Sequence, residues 1–406
     1  MALISDHLAP DRSGNSRASD IIEWLTGDAS HALDDAGLLA GLGERLIAIG
    51  LPLARVTLHL RTLHPELVGR TLAWAPGEPV EVLDRQHGIE NAAVFTESPV
   101  RQVMDSGKPL TVRLDQTGTG QPLLEVFRDR DLGELVIRPL RWGEGRDGAV
   151  VFATARRERF TSLERQLLNR IVPTLRTVCE LRLLRQTEAV LLDTYVGTAT
   201  GRRILAGHIK RNEVESLEAA LLLCDMRGFT ELSNRLAGQR MLALLNDYFD
   251  CVVPAITDCG GEILKFMGDA VLAFFANHSS STACKAAYCA AGAILAGVAM
   301  RSATEAIRVG IALHHGIVSY GNIGSGRRLD FTVIGPDVNL LSRIERVCSR
   351  SGSAVLMSSK FAGLLGSAAV SPAGRYRLKG FTGRVDLYAC SFEDAYQCLH
   401  ISKTMP

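Results

Sequence analysis

Residues 260–275, GGEILKFMGDAVLAFF, constrain the fold of this chain more than any other stretch. Two apolar runs flank Met267-Gly268-Asp269-Ala270, and such a pattern reads as strand, tight turn, strand. An amphipathic stretch precedes it. From Gly238 to Asp258, Met241, Leu244, Leu245, Tyr248, Phe249, Val252, Val253 and Ile256 fall on one helical face. Cys259-Gly260-Gly261 then forms an ordinary helix stop. Further upstream, Ala219–Cys224 (AALLLC) reads as a short buried strand. The order strand, helix, hairpin reads as a sheet-based domain of the α+β or α/β class.

The polar residues at the ends of these strands carry the chemistry. Asp225 sits where the buried strand exits, and a carboxylate there is costly unless something pairs with it. Arg227-Gly228-Phe229-Thr230 follows and offers backbone N–H groups at a helix start, which suit phosphate. Asp269 lies in the hairpin turn, with Lys265 on the incoming strand. Taken alone, Asp225 reads as a helix cap and Asp269 as a turn residue. In a sheet-based domain the two can converge, and paired carboxylates can hold two Mg²⁺ or Mn²⁺ ions on a triphosphate.

A third segment begins at Ala306. AIRVGIALHHGIVSYGNIGS reads as two strands around a turn at Gly316. Leu329–Ile334 reads as a strand, and a helix begins near Pro336, a residue that suits the first helical turn. Asn339 and Arg343 stand one turn apart on that helix and share a face. An amide and a guanidinium so placed can hold a ribose oxygen and a developing phosphoryl charge.

These segments resemble the catalytic domain of class III nucleotide cyclases over residues 217–392. LLLCDMRGFTELS, GGEILKFMGDAVLAFF, VGIALHHGIVSYGNIG, DFTVIGPDVNLLSRIE and YRLKGFTGRVDLYAC occur in the family's order. The resemblance implies a ferredoxin-like βαββαβ-type domain that converts ATP to 3′,5′-cyclic AMP and pyrophosphate. It implies a metal set of Asp225, Met226 and Asp269, with two Mg²⁺ or Mn²⁺ ions per site. Lys265 and Thr332 match the base-reading positions, Asn339 the ribose-positioning asparagine and Arg343 the transition-state arginine. Phe229, Thr230 and Lys379 fall in the substrate-binding set. The family's sites are shared across a dimer interface. Asp225 and Asp269 would come from one protomer and Lys265, Thr332, Asn339 and Arg343 from the other, which implies a homodimer. A Lys reads adenine N1, an acceptor, and disfavours the guanine N1–H donor. Gly335-Pro336-Asp337 departs from the family pattern of Gly-Asp followed by a small residue. The Thr-carrying subgroup includes members that respond to bicarbonate, and a flat response at constant pH would remove that expectation here. The alternatives are a guanylate cyclase, a diguanylate cyclase and a catalytically silent homologue that senses nucleotide.

The first half is read more coarsely. Residues 1–18 read as a flexible tail and Ile21–Ile49 as helical. Ala54–Leu60, Thr71–Trp74, Glu134–Leu140 and Gly148–Ala153 read as strands, and residues 76–92 as a loop. A long helix starts near Phe160, capped by Thr161-Ser162 with Glu164 in its first turn. Pro173 is expected to kink or divide it. This order resembles a GAF-type domain with a mixed sheet, a sensor for an unidentified small-molecule effector or a dimerising scaffold. His59, His64 and His87 fit no metal spacing and read as structural. The domain reading is therefore 1–18, 19–158, a helical linker over 159–212, the 217–392 domain, and a tail over 393–406.

Composition bounds the partners. Charged residues make up 22 % and the net charge is +1, so charge gives no case for nucleic acid or a membrane surface. The longest apolar run, Cys289–Met300, is shorter than the ~20 residues a span needs. Nine cysteines without a CxxC pair, and an N-terminal stretch without a signal-peptide pattern, read as a cytoplasmic protein.

Overall fold

The computed structural model describes residues 12–116, 122–143, 147–155, 158–277, 279–301, 307–366 and 370–390. The expected tail at 393–406 lies outside the described residues. The chain divides into two compact units, Met1–Leu191 and Leu192–Pro406.

In the first unit the expected helix over 21–49 is three helices: α1 (Arg12–Thr26), α2 (Asp28–His31) and α3 (Asp35–Ala48). Asp34 restarts the chain by capping α3, its Oδ1 accepting from the Gly37 amide at 2.7 Å. α1 begins at Arg12, within the stretch read as a tail, and Ala18 is fully buried. The strands are β1 (Arg55–Arg61), β2 (Leu67–Trp74), β3 (Glu81–Gln86), β4 (Leu110–Arg113), β5 (Leu132–Leu140) and β6 (Gly148–Ala155), in the order β3-β2-β1-β6-β5-β4. Every pairing is antiparallel, which corrects the expected mixed sheet. The short connections between β1 and β2, β2 and β3, and β5 and β6 allow no other direction there. β3 occupies the stretch read as a loop. It is an exposed edge strand whose side chains carry no burial pattern, so only its backbone pairing defines it.

α4 (Ala93–Thr96), α5 (Pro99–Ser106) and α6 (Pro122–Asp129) fill the connections on either side of β4, and α7 (Ser162–Val196) follows β6. Side-chain alternation along β6 splits the core in two. Val150 and Phe152 pack with Leu42, Leu46, Leu168 and Ile171, whereas Val151 and Ala153 pack with Val103, Met104 and Phe127. Thr161 and Glu164 form the expected reciprocal cap of α7, with Glu164 Oε2 accepting from the Thr161 amide at 2.6 Å and Thr161 Oγ1 from the Glu164 amide at 3.3 Å. α7 runs through Pro173 as one helix, so the proline does not divide it. In its later turns Leu183 and Thr187 are buried, while Leu181 and Leu184 face solvent.

The three histidines are structural. His64 Nδ1 accepts from the Glu66 and Leu67 amides, and His87 bonds the His64 carbonyl. His59 lies 3.4 Å from the Thr71 hydroxyl and has a buried, unpartnered Nε2. It lines a largely apolar cavity of ≈270 Å³ with Leu60, Arg85, Phe95 and Met104. Burial, helped by Arg85 and Arg55, pushes the His59 imidazole down to about 4. The neutral ring is thus favoured in the fold. Stability is fully present above the unfolded value of ~6.5 and is lost as pH falls towards the folded one. Between pH 7 and 5 this unit should lose about 2 kcal/mol. Trp24, Trp74 and Trp142 all lie in the first unit, so urea titrations followed by tryptophan fluorescence report it. His59→Leu should flatten the slope in that window; an unchanged slope would refute the assignment.

The second unit opens with α8 (Thr198–Leu205), inside a stretch read as a connector. It continues as β7 (Val214–Met226), α9 (Phe229–Arg235), α10 (Gly238–Thr257), β8 (Glu262–Met267), β9 (Ala270–Phe275), α11 (Ser280–Arg301), β10 (Val309–Ser325), β11 (Arg328–Ile334), α12 (Pro336–Ser351), β12 (Val355–Ser358), α13 (Ser359–Leu365), β13 (Val370–Tyr376) and β14 (Val385–Cys390). The sheet order is β13-β14-β12-β10-β7-β9-β8, with β11 paired to β10. β7 through β10, with α10 and α11 between them, follow the strand-helix-strand-strand-helix-strand order.

One face of β7 (Ala220, Leu222, Cys224) packs on α10, α11 and α13. The other (Ala219, Leu221, Leu223) packs with Leu341, Ile344 and Cys348 of α12. α11 is long and apolar enough to cross a membrane by length and composition. Here its residues from Ala283 to Val298 supply much of the helix-side core. β10 is a single strand through Gly316, not the two strands expected. Gly316 is required because a Cβ there would collide with the Asp337 carboxyl group at the start of α12. The eight described cysteines are all free thiols.

Candidate active site

Turn chemistry positions the first carboxylate. Met267 pairs with Ala270, which leaves Gly268-Asp269 as a two-residue hairpin loop. Gly268 adopts φ +70°, a conformation cheap for glycine. The turn projects Asp269 back across the end of β7, where its Oδ2 accepts from the Met226 amide at 3.2 Å. Asp225, at that same strand end, lies within hydrogen-bonding reach of Asp269.

The two carboxylates therefore converge, as the sequence led one to expect. Asp225 does not cap a helix: α9 is capped by Gly228, with no side-chain bond. Burial first, and then the Asp269 charge, push the Asp225 carboxyl up to about 7. Two half-buried carboxylates that repel one another and give only oxygen donors fit a hard divalent cation. Among the described residues no third His, Cys, Asp or Glu completes an all-protein metal cluster. Such an ion would keep positions open for water and phosphate oxygens, as Mg²⁺ sites do. Met226 contributes its backbone here; its side chain is buried in the core. Phe229 and Thr230 open α9 directly after the carboxylate strand.

Arg227 is the residue that sequence reasoning missed on this side. Its guanidinium donates to Glu345 Oε1 at 3.3 Å, to Cys348 Sγ at 3.1 Å and to the Ser353 carbonyl at 3.3 Å. Both members of the ion pair are only 14 % exposed. It fixes α12 against the exit of β7. The signal available was an Arg one residue past a buried strand and a Glu on the inner face of a helix, which do not point to one another in sequence.

α12 carries Asn339 and Arg343. Asn339 is exposed, and the Arg343 Nε donates to the Lys379 carbonyl at 3.2 Å. Lys379 itself is exposed, so it joins this group through its backbone. The departure at Gly335-Pro336-Asp337 is structural. Asp337 accepts from the Ile317 amide at 2.8 Å and lies 3.0 Å from His314 Nε2, while His314 Nδ1 is 2.7 Å from Ser358 Oγ. Burial pushes His314 down from its ordinary value, partly offset by Asp337. Asp337 thus turns into the β10 side and anchors the start of α12.

Lys265 lies beside a register shift in β8 between Ile263 and Lys265, an irregularity that can re-aim a side chain. Its Nζ donates to Asp330 Oδ2 at 2.7 Å. Thr332, two residues on from Asp330 and on the same face of β11, is 4 % exposed. Among the described residues no hydrogen bond or ion pair joins the Asp225/Asp269 pair to Lys265, Asn339 or Arg343.

Residues 213–391 match the family "Adenylate and Guanylate cyclase catalytic domain". An adenylate cyclase of Anabaena cylindrica is 36 % identical over 144 residues, which cover 34 % of this chain and 29 % of that protein. Adenylate cyclase 1 of Rhizobium meliloti is 28 % identical over 193 residues, 46 % of this chain and 29 % of that protein. The chain thus spans less than a third of the length of these two relatives. Among solved structures, the adenylyl cyclase CyaB from P. aeruginosa is 28 % identical with a TM-score of 0.41, covering 44 % of this chain and 96 % of that one. The C-terminal unit accordingly carries an adenylate/guanylate cyclase catalytic domain.

Proposed function

We propose, from the nucleotide cyclase catalytic domain that the C-terminal unit carries, that this chain is an adenylate cyclase of the cytoplasm. It would convert ATP to 3′,5′-cyclic AMP and pyrophosphate at sites shared by two copies. The observation that carries the reading is the convergence of Asp225 and Asp269 from a strand end and a hairpin tip. Bound there, two Mg²⁺ or Mn²⁺ ions would acidify the ribose 3′-hydroxyl and neutralise the triphosphate.

The chain's own groups do the positioning. Asn339 would orient the ribose. Arg343 would meet charge that develops on the α-phosphoryl oxygens as the 3′-oxygen attacks in line and pyrophosphate leaves. Backbone N–H groups at Phe229 and Thr230 would face phosphate. Lys265 would donate to adenine N1, where guanine offers a competing N–H. Exposed Phe266, Met267, Leu329 and Ile334 near the Lys265 edge support a partner surface, which a second copy would cover. The apolar cavity of ≈270 Å³ in the N-terminal unit supports the sensor reading of that GAF-like half over the scaffold reading.

The test is product formation by the purified full chain with ATP and GTP in parallel, in Mg²⁺ and in Mn²⁺. Cyclic AMP should exceed cyclic GMP by at least ~10-fold, the scale of one mismatched buried hydrogen bond. A reversed ratio would establish the guanylate alternative, and nucleotide binding without any product the silent one.

A further inference from the structure

The cavity of ≈270 Å³ in the first unit lies between β1, β2, β3, α4 and α5. Leu60, Val68, Phe95 and Met104 give it apolar walls. Its polar lining sorts into committed and uncommitted groups. Ser98 caps α5, accepting from the Arg101 amide at 3.1 Å and donating to the Phe95 carbonyl at 2.7 Å. Arg70 is held by Asp84 at 2.6 Å. His59, Thr71 and Arg85 remain. Arg85 Nε reaches the Thr71 hydroxyl at 3.5 Å, and that hydroxyl lies 3.4 Å from His59 Nδ1. Among the described residues lining the cavity, His59 Nε2 is the one buried side-chain polar atom without a partner. No Asp or Glu lines the cavity, whereas Arg61, Arg70 and Arg85 do.

Arginine only donates, so the Thr71 oxygen accepts from Arg85 and the hydroxyl hydrogen is left for His59 Nδ1. The neutral ring then carries its proton on Nε2. Burial first, and then the Arg85 and Arg55 charges, hold that ring neutral. An orphaned donor and an excess of positive charge beside an apolar space both call for an acceptor that carries negative charge. We propose that this cavity binds a small monocarboxylate with an apolar body, its carboxylate accepting from His59 Nε2 and from the Arg85 guanidinium. The assignment rests on the sensor reading of this half and names the class of its effector. His59 and Arg85 are both gathered at the Thr71 hydroxyl, so one carboxylate can accept from both. At the packing density of protein interiors, ≈270 Å³ holds about ten non-hydrogen atoms. That admits one ring or a branched chain with its carboxylate and excludes a nucleotide.

The experiment titrates the full chain with benzoate, phenylacetate, hydrocinnamate and isocaproate, each against its primary amide, by isothermal calorimetry. The best acid should bind roughly 10–100-fold tighter than its amide, the scale of hydrogen bonds to charged groups. Arg85→Met should weaken the acid by that factor and remove its advantage over the amide. Arg85→Lys, which keeps the charge but not the fork, should retain part of that advantage. His59→Leu should weaken the acid about 10-fold. Arg85 lies on the edge strand β3, and urea titrations of the unliganded variants followed by tryptophan fluorescence check that the unit folds. No binding of any acid up to ~10 mM, equal affinity for acid and amide, or an acid preference that survives Arg85→Met would each overturn the proposal. Cyclic nucleotide formation is measured in parallel with the best acid present. Binding that leaves this activity unchanged would fault the sensor reading and leave the carboxylate site standing.

Discussion

Full-length chains carrying Asp225→Ala and Arg343→Ala are each expected to be almost inactive, and their mixture to recover about a quarter of wild-type activity. The single losses should be roughly 10²–10³-fold or more, the scale of removing one preorganised group that meets transition-state charge. Recovery follows from the proposed sharing of each site by two copies. Asp225 lies beside Asp269 at one end of the sheet, and Arg343 is on α12 and bonded to the Lys379 carbonyl. If each site takes the carboxylates from one copy and Arg343 from the other, a mixed dimer has one intact site and one doubly damaged site. Random pairing makes about half the dimers mixed, which gives the quarter. The measurement is cyclic AMP formation by the mixture and by mixed dimers purified through two different tags, which should reach about half of wild-type activity. Full-strength assembly with no recovered activity would sink the shared site.

Arg227→Met should destabilise the C-terminal unit by about 3–5 kcal/mol, because it leaves Glu345 buried without its partner. For a unit of this size that corresponds to a fall of roughly 10 °C in its unfolding temperature. Burial already pushes the Glu345 carboxyl up from its ordinary value, and Arg227 is the group that holds it down. Arg227 also lowers the Asp225 carboxyl, so its removal pushes that group higher still. Arg227→Met/Glu345→Met should recover most of the stability, since apolar replacement of a whole buried pair is close to neutral. No tryptophan lies in this unit. Hydrogen exchange at β7 and α12 of the full chain therefore reads the effect separately from the tryptophan-bearing half. A single variant within ~0.5 kcal/mol of wild type would show that the pair is solvated and contributes little.

The elements that could be read in advance were those whose signal is local. The Gly268-Asp269 turn, the α10 stripe and the Thr161/Glu164 cap each depend on neighbours a few residues away. β3 was missed because an exposed edge strand is specified by the backbone of β2 and not by its own apolar pattern. Gly316 was misread as a turn because glycine has two uses, and here the Asp337 carboxyl group of a later helix occupies the space of its side chain. Pro173 was overrated as a breaker: α7 continues through it.

The site divides along the same line. Asp225, Asp269, Lys265, Asn339 and Arg343 were identifiable as chemistry-bearing residues from type, spacing and resemblance. The sequence by itself determined which groups are available and which strand end, turn or helix face each one occupies. Only the tertiary structure decided their partners: Asp225 against Asp269, Arg227 against Glu345, Lys265 against Asp330, His314 between Asp337 and Ser358. Each of those contacts joins segments distant along the chain, and its strength depends on how much water the surrounding packing excludes. Neither the approach nor the desolvation is encoded in any short window of residues.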